Sequence, residues 1–175
     1  MKNEAMRGFL SERTLNLHRG YLEDARLRLS ILGKSGYDIE GKSYPELKNA
    51  RMREARDEVL ALAADIYYHE LYFSSFGDRG TTCACLKPRY SSSAGFLYET
   101  ERRAMKHTDG FILIYFDSKS AVISHSEERV PRGCREPCLA IDLSEHAYFL
   151  DYGFDKLSYV RGALSHLDLS KIDKK

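Results

Sequence analysis

Two apolar runs, "GFILIYF" (110–116) and "SAVISHS" (120–126), stand three residues apart with the turn "DSK" between them. Both are rich in β-branched and aromatic residues, and a connection this short joins strands only as an antiparallel hairpin. A third run, "CLAIDL" (138–143), reads as another strand. Everything before the hairpin is helical in pattern. Residues 11–32 carry Leu15, Leu22 and Leu29 at helical spacing, with Ser11 as N-cap. Gly20 inside that helix costs roughly 1 kcal/mol against Ala, so its neighbours must hold it. Residues 33–46 form a Gly- and Ser-rich loop. Residues 46–76 read as a second long helix, polar at its start and apolar at its end, which predicts a solvated first half and a buried second half. "GDRGTT" (77–82) breaks the pattern as a linker, and two helical pieces follow around 91–107. Residues 145–152 are a short helix or turn, and 154–167 a closing helix. This order predicts an α+β chain. An N-terminal lobe, residues 1–78, is a two-helix antiparallel hairpin; a C-terminal α/β lobe, residues 84–175, carries a three-stranded antiparallel sheet.

With 175 residues the chain is long enough for one sizeable core or two small lobes. A hydrophobic fraction of 43% argues against disorder, and a net charge of +1 argues against a general nucleic-acid binder. No run is long enough to cross a bilayer, and "MKNEAMRGFLSERT" lacks the apolar core of a signal peptide. A cytoplasmic location without a membrane partner is the default. Cys83, Cys85, Cys134 and Cys138 are then expected as thiols. A zinc site built from all four is the alternative, but C-x-C and C-x₃-C are not the usual knuckle spacings. The chain lacks Trp but has 12 Tyr and 8 Phe, so its aromatic clusters are made of those two residues.

Asp142 and His146 stand four apart in "AIDLSEHAYFLDYG" (140–153), a segment otherwise largely apolar. His18 lies on the first helix, and His69 lies in the apolar end of the second, "IYYHELYF". Taken singly, each histidine reads as a core or boundary residue, and His107 and His166 read as surface residues. Taken together, His18, His69, Asp142 and His146 are a His₃Asp set, and imidazole with carboxylate suits a redox-capable first-row ion such as Fe or Mn.

These segments resemble the iron/manganese superoxide dismutase family. "AIDLSEHAYFLDYG" is similar to the family's "GIDVWEHAYYLDY", and "DKLSYVRGALSHLDLSKI" to its closing helix. "YHELYF" around His69 resembles "NHxxFW", and "TLNLHRGYL" around His18 resembles "TLxxHxxxH". The resemblance implies that His18, His69, Asp142 and His146 hold one Fe or Mn ion per chain, with superoxide as substrate. It also implies a homodimer with Glu145 and Tyr148 at the interface.

The surroundings of that set depart from the family pattern. The position of the family's gateway Tyr falls on Arg26, which in a funnel would attract an anionic substrate, and its polar neighbour falls on Leu22. The Asn and Trp around the second histidine are Tyr68 and Phe73; the Trp of the last motif is Ser144; the first strand has Phe111 and Leu113. The outer amide that tunes the metal's solvent corresponds to Asp65, on the second helix, or to Glu128, after the second strand. A carboxylate there would favour the higher oxidation state. Two expectations follow: a dismutase, or a divergent metal-binding or structural relative with little or no turnover.

Overall fold

The computed structural model describes residues 4–34, 41–49, 56–77 and 83–174. After a 3₁₀ turn at Ala5–Gly8, helix α1 spans Glu12–Lys34. Ser11 caps it, its hydroxyl accepting from the Thr14 amide at 3.2 Å. The buried face of α1 is Thr14, Leu15, His18, Leu22 and Ala25, a recurrence of three and four that lines one side of a helix. Gly20 is on the opposite, exposed side, with nothing near where a Cβ would stand.

The region expected as one long helix contains two described helices. Helix α2 is Tyr44–Asn49 and helix α3 is Arg56–Ser74. The start of α2 lies ahead of the expected 46 because the Glu46 carboxylate reaches back and accepts from the Ser43 amide at 2.7 Å and the Ser43 hydroxyl at 2.6 Å. Residues 50–55, part of the 33–46 loop (35–40) and most of the proposed linker (78–82) lie outside the described residues. Helix α3 is apolar around much of its surface because it is enclosed, with α1 on one side and the sheet on the other.

Helices α4 (Lys87–Tyr90) and α5 (Ser93–Ala104) follow. The first begins earlier than expected because Pro88 sets its opening turn; Ser92 caps the second, accepting from the Gly95 amide at 3.1 Å. Strands β1 (Phe111–Phe116), β2 (Ala121–His125) and β3 (Leu139–Asp142) form an antiparallel sheet in the order β2-β1-β3. The hairpin turn is held by Asp117 Oδ1, which accepts from the Lys119 and Ser120 amides. Ile112, Leu113, Ile114, Leu139 and Ile141 are all buried, so both sheet faces are covered. That is why these strands read as unbroken apolar runs rather than alternating ones. Each such side chain contributes about 1.5–3 kcal/mol of burial. The outer edge of β3 is closed by Ser75, whose hydroxyl accepts from the Ala140 amide at 2.8 Å.

A 3₁₀ turn at Glu145–Ala147, helix α6 (Phe149–Tyr152) and helix α7 (Lys156–Ser165) complete the fold. The molecule is thus mostly helical, with N-terminal helices followed by an α/β region carrying a three-stranded antiparallel sheet. One large core joins the lower ends of α1 and α3 to the sheet and α7; a small separate cluster of Leu47, Val59 and Ala63 packs α2 against the far end of the α1–α3 pair. The expected solvated start of the second helix is therefore partly buried, because α2 folds back over it.

Candidate metal centre

Four side chains meet where α1, α3, β3 and the turn after β3 come together. His18 comes from α1, His69 from α3, Asp142 from the end of β3 and His146 from the turn. Asp142 Oδ2 lies 3.0 Å from His18 Nε2, 3.4 Å from His69 Nε2 and 3.2 Å from His146 Nε2. The Nε2 atoms of His69 and His146 are 3.1 Å apart. His18 and Asp142 are fully buried, His69 almost so, and His146 is partly open.

Each donor is aimed from behind. Asp142 Oδ1 accepts from the Ser144 amide at 2.8 Å, which turns Oδ2 toward the imidazoles. The Asp142 carbonyl accepts from the Tyr159 hydroxyl at 2.7 Å, and that hydroxyl lies 3.2 Å from the Tyr72 hydroxyl. His69 Nδ1 is 2.8 Å from the Asp65 carbonyl, which only accepts. The proton therefore sits on Nδ1, and the lone pair of Nε2 faces the Asp142 carboxylate.

Two electron-rich atoms facing each other in a buried place call for positive charge between them, from a proton or a metal ion. Both ring nitrogens of His18 and Oδ2 of Asp142 are buried without a well-aligned hydrogen bond, close as the His18–Asp142 contact is. A first-row ion about 2.1 Å from each donor would set donors about 3.0 Å apart at right angles and about 3.4 Å apart at the tetrahedral angle. The observed edges span that range. Three imidazole nitrogens and one carboxylate oxygen thus fit an Fe or Mn ion in both spacing and chemistry.

Burial opposes charge on Asp142, but His146 and His18 more than offset it and hold its carboxyl well below the usual range. Burial holds His18 low. Burial also acts to lower His69, yet Asp65 and Asp142 outweigh it, and the net shift is upward.

Rings close the site. His18 packs on Tyr72 and Phe73, each at 4.9 Å, and His69 meets the edge of Phe111 at 5.1 Å. Tyr21 stacks on His146 at 4.1 Å. Burial and then Asp65 push its phenol up. Sequence reasoning missed Tyr21, although it stands three residues after His18, on the same side of α1.

Of the other expected site residues, the structure brings only Asp65 to the cluster, with Oδ1 3.2 Å from His69 Nδ1. Arg26 pairs with Glu70 at 2.7 Å and lines a different cavity, with Leu29 and Ser30. A cavity of about 700 Å³ opens beside Tyr21 and His146, and the arginine in its wall is Arg28. Glu128 is not brought to the cluster. Its carboxylate accepts from the Ser124 hydroxyl and the His125 amide and approaches Arg103 of α5 at 3.7 Å, closing the turn after β2. Glu145 is exposed, whereas Tyr148 is buried with its ring stacked on Tyr159 at 4.7 Å.

Three further expectations need correction. Cys83 and Cys85 are joined by a disulfide rather than being thiols, because the 3₁₀ turn at Ala84–Leu86 brings their sulfurs together. Cys134 and Cys138 are thiols, and among the described residues no metal-binding group includes a cysteine. His107 and His166 are half-buried rather than surface residues: His107 stacks on His125, and His166 packs against Phe9.

A family model, "Iron/manganese superoxide dismutases, C-terminal domain", matches residues 78–175, more than half of the chain. The chain belongs to the iron/manganese superoxide dismutases. It is 25% identical to superoxide dismutase (Fe) 2, chloroplastic, of Oryza sativa subsp. japonica, over 95% of this chain and 70% of that protein. It is 27% identical to superoxide dismutase (Fe) of Cupriavidus metallidurans, over 64% of this chain and 61% of that protein. It is 22% identical to superoxide dismutase (Mn/Fe) of Rickettsia prowazekii, over 94% of this chain and 83% of that protein. At these identities the chain is a divergent member of the dismutase family. Among the described residues no helix is long and apolar enough to cross a membrane.

Proposed function

We propose that this chain binds one Fe or Mn ion through His18, His69, Asp142 and His146 and disproportionates superoxide to O₂ and H₂O₂. The observation that carries the proposal is the convergence of three imidazole Nε2 atoms and Asp142 Oδ2 on one buried point. The ion, once bound, supplies reversible one-electron exchange with superoxide. The protein's own residues do the rest. Asp142 contributes a negative charge at the buried point, and Asp65 fixes the His69 tautomer. Tyr21, Phe73 and Phe111 exclude bulk water from the donors. Arg28 shares the cavity wall with Glu58, Asp65, Asp109 and Glu127, so its pull on an anion is local, and Glu70 neutralises Arg26.

A homodimer formed on the face bearing Glu145, a cytoplasmic location, and the lobe division at 1–78 and 84–175 belong to the same proposal. Glu145→Ala should shift the chain toward monomer in sedimentation. Tyr148 lies inside the protomer, so any contribution it makes to an interface comes through the backbone it supports.

A second reading, a dismutase-fold metalloprotein with little turnover, is favoured by one observation. A carboxylate, Asp65, stands against His69 and stabilises the more positive state of anything bound there. Elemental analysis beside a superoxide-consumption assay decides between the two. Metal with rapid consumption supports the enzyme; metal without consumption supports the second reading. Undiminished metal content in His69→Ala would overturn the shared assignment of the ligands.

A further inference from the structure

His107 and His125 lie face to face, ring centroids 3.7 Å apart and planes 4° from parallel. His107 follows α5 and His125 ends β2. Asp142 pairs across the sheet with Phe111, while His125 pairs with Ile112. Adjacent residues of one strand point to opposite faces, so His125 projects away from the four-donor cluster.

The His125 ring is held by its surroundings. Its Nε2 lies 2.8 Å from the Asp109 carbonyl, which only accepts, so Nε2 carries the proton and Nδ1 the lone pair. A Cβ on Gly110 would stand 2.8 Å from that Nε2 and 2.7 Å from Ser126 Oγ, so the loop leaves room for the ring only with glycine there, at φ +77°. The lone pair of Nδ1 faces Glu127. That lone pair accepts a hydrogen bond from the Glu127 amide at 3.3 Å, which metal binding must displace, and the Glu127 carboxylate is 3.7 Å away on an exposed side chain. A histidine with one nitrogen pinned to a backbone carbonyl and the other turned to a carboxylate has the arrangement of an oriented metal ligand.

We infer that His107, His125 and Glu127 form a second cation site, separate from the four-donor cluster, that takes Zn²⁺. Two imidazoles and one glutamate are a zinc donor set that leaves a fourth position for water. One donor atom from each of the three already lies within 4.8 Å of the others. Metal binding draws them closer, and the parallel rings must splay for both lone pairs to reach one ion. His107, half-buried beyond the end of α5, is the ring that turns. Burial and the neighbouring His125 hold it low, so it is neutral and ready to ligate at neutral pH. The nearby cation, Lys156, is engaged by the His107 carbonyl at 2.7 Å.

The test titrates the full chain, its four-donor cluster filled beforehand, with Zn²⁺ by equilibrium dialysis, beside Glu127→Gln and His107→Ala treated alike, while ¹⁵N resonances of the histidine rings are followed. The expected result is one zinc equivalent whose affinity falls at least about tenfold in either variant. The His125 Nδ1 resonance should shift on binding while Nε2 stays protonated. The metal content of the four-donor cluster should be the same in all three proteins. Glu127 is exposed, so Glu127→Gln keeps the fold even if His107→Ala does not. Zinc binding equal in wild type and Glu127→Gln, or a His125 spectrum unmoved by zinc, would overturn the site.

Discussion

Tyr21 lies flat on His146, ring centroids 4.1 Å apart and planes 14° from parallel. It is the covering over the most open of the four converging donors, and it also packs against His69 at 5.1 Å. Stacked rings of this kind contribute about 0.5–1.5 kcal/mol beyond area burial. Tyr21→Ala should therefore speed loss of bound metal to a chelator, while Tyr21→Phe, which keeps the ring, should lose it at near the wild-type rate. Equal rates in all three proteins would mean the ring does not guard the site.

Asp65 is the acid nearest the cluster outside the four donors. At an effective dielectric of about 20, unit charges roughly 5 Å apart interact by about 3 kcal/mol, on the order of 100 mV for a one-electron couple. Asp65→Gln removes that charge, so the reduction potential of the metal-loaded chain should rise by that order and turnover should increase. Glu128→Gln should leave the potential in place, because Glu128 is engaged by Ser124 and Arg103. Redox titration of the two variants separates the effects.

Tyr159 donates from a fully buried position to the carbonyl of Asp142. Tyr159→Phe keeps the ring and loses the bond, at a cost of roughly 1–2 kcal/mol. For a chain of this size the melting temperature should fall by about 2–4 °C per kcal/mol. Calorimetry on the metal-free chain gives the effect without a contribution from metal affinity.

Asp151 accepts from the Ser11 amide at 2.7 Å and so ties the start of α1 to α6. Burial alone would raise its carboxyl, but the bonds to Ser11 hold it below its ordinary 3.8. A depressed carboxylate stabilises the fold above that value, and the contribution is lost as pH falls through the lower, folded value. Asp151→Asn should thus reduce stability at neutral pH and flatten its decline below about pH 4. A denaturant series across that range reads both.

The strands were legible from short-range pattern, and the four converging donors from the histidines and Asp142 taken together with the family resemblance. Apolar runs bounded by turn residues specify β1 and β2, and Asp142 and His146 stand out as ionisable groups in an apolar segment. Arg26 was misplaced because family correspondence fixes a position along a helix, while the contact depends on what faces it across the groove; here that is Glu70. Glu128 was misplaced for the same reason, at a turn whose hydrogen bonds draw it toward α5. The resemblance implies a dimer interface at Tyr148; within the protomer its ring packs on Tyr159. The Cys83–Cys85 pairing was hidden by an assumption about redox environment, which local chain geometry overrode.

The four donors are scattered along the chain: 77 residues separate His69 from His146 alone. A ribosome extends the chain from the N-terminus at about 5–20 residues per second. Both long helices are therefore complete for seconds before β3 and its turn emerge. In that interval His18 and His69 offer two nitrogens and no carboxylate, a weak claim on any ion. Capture of a metal by all four donors would consequently wait for docking of β3 and the turn after it, and a chain cut short before β3 would present a helical pair without the Asp142 carboxylate.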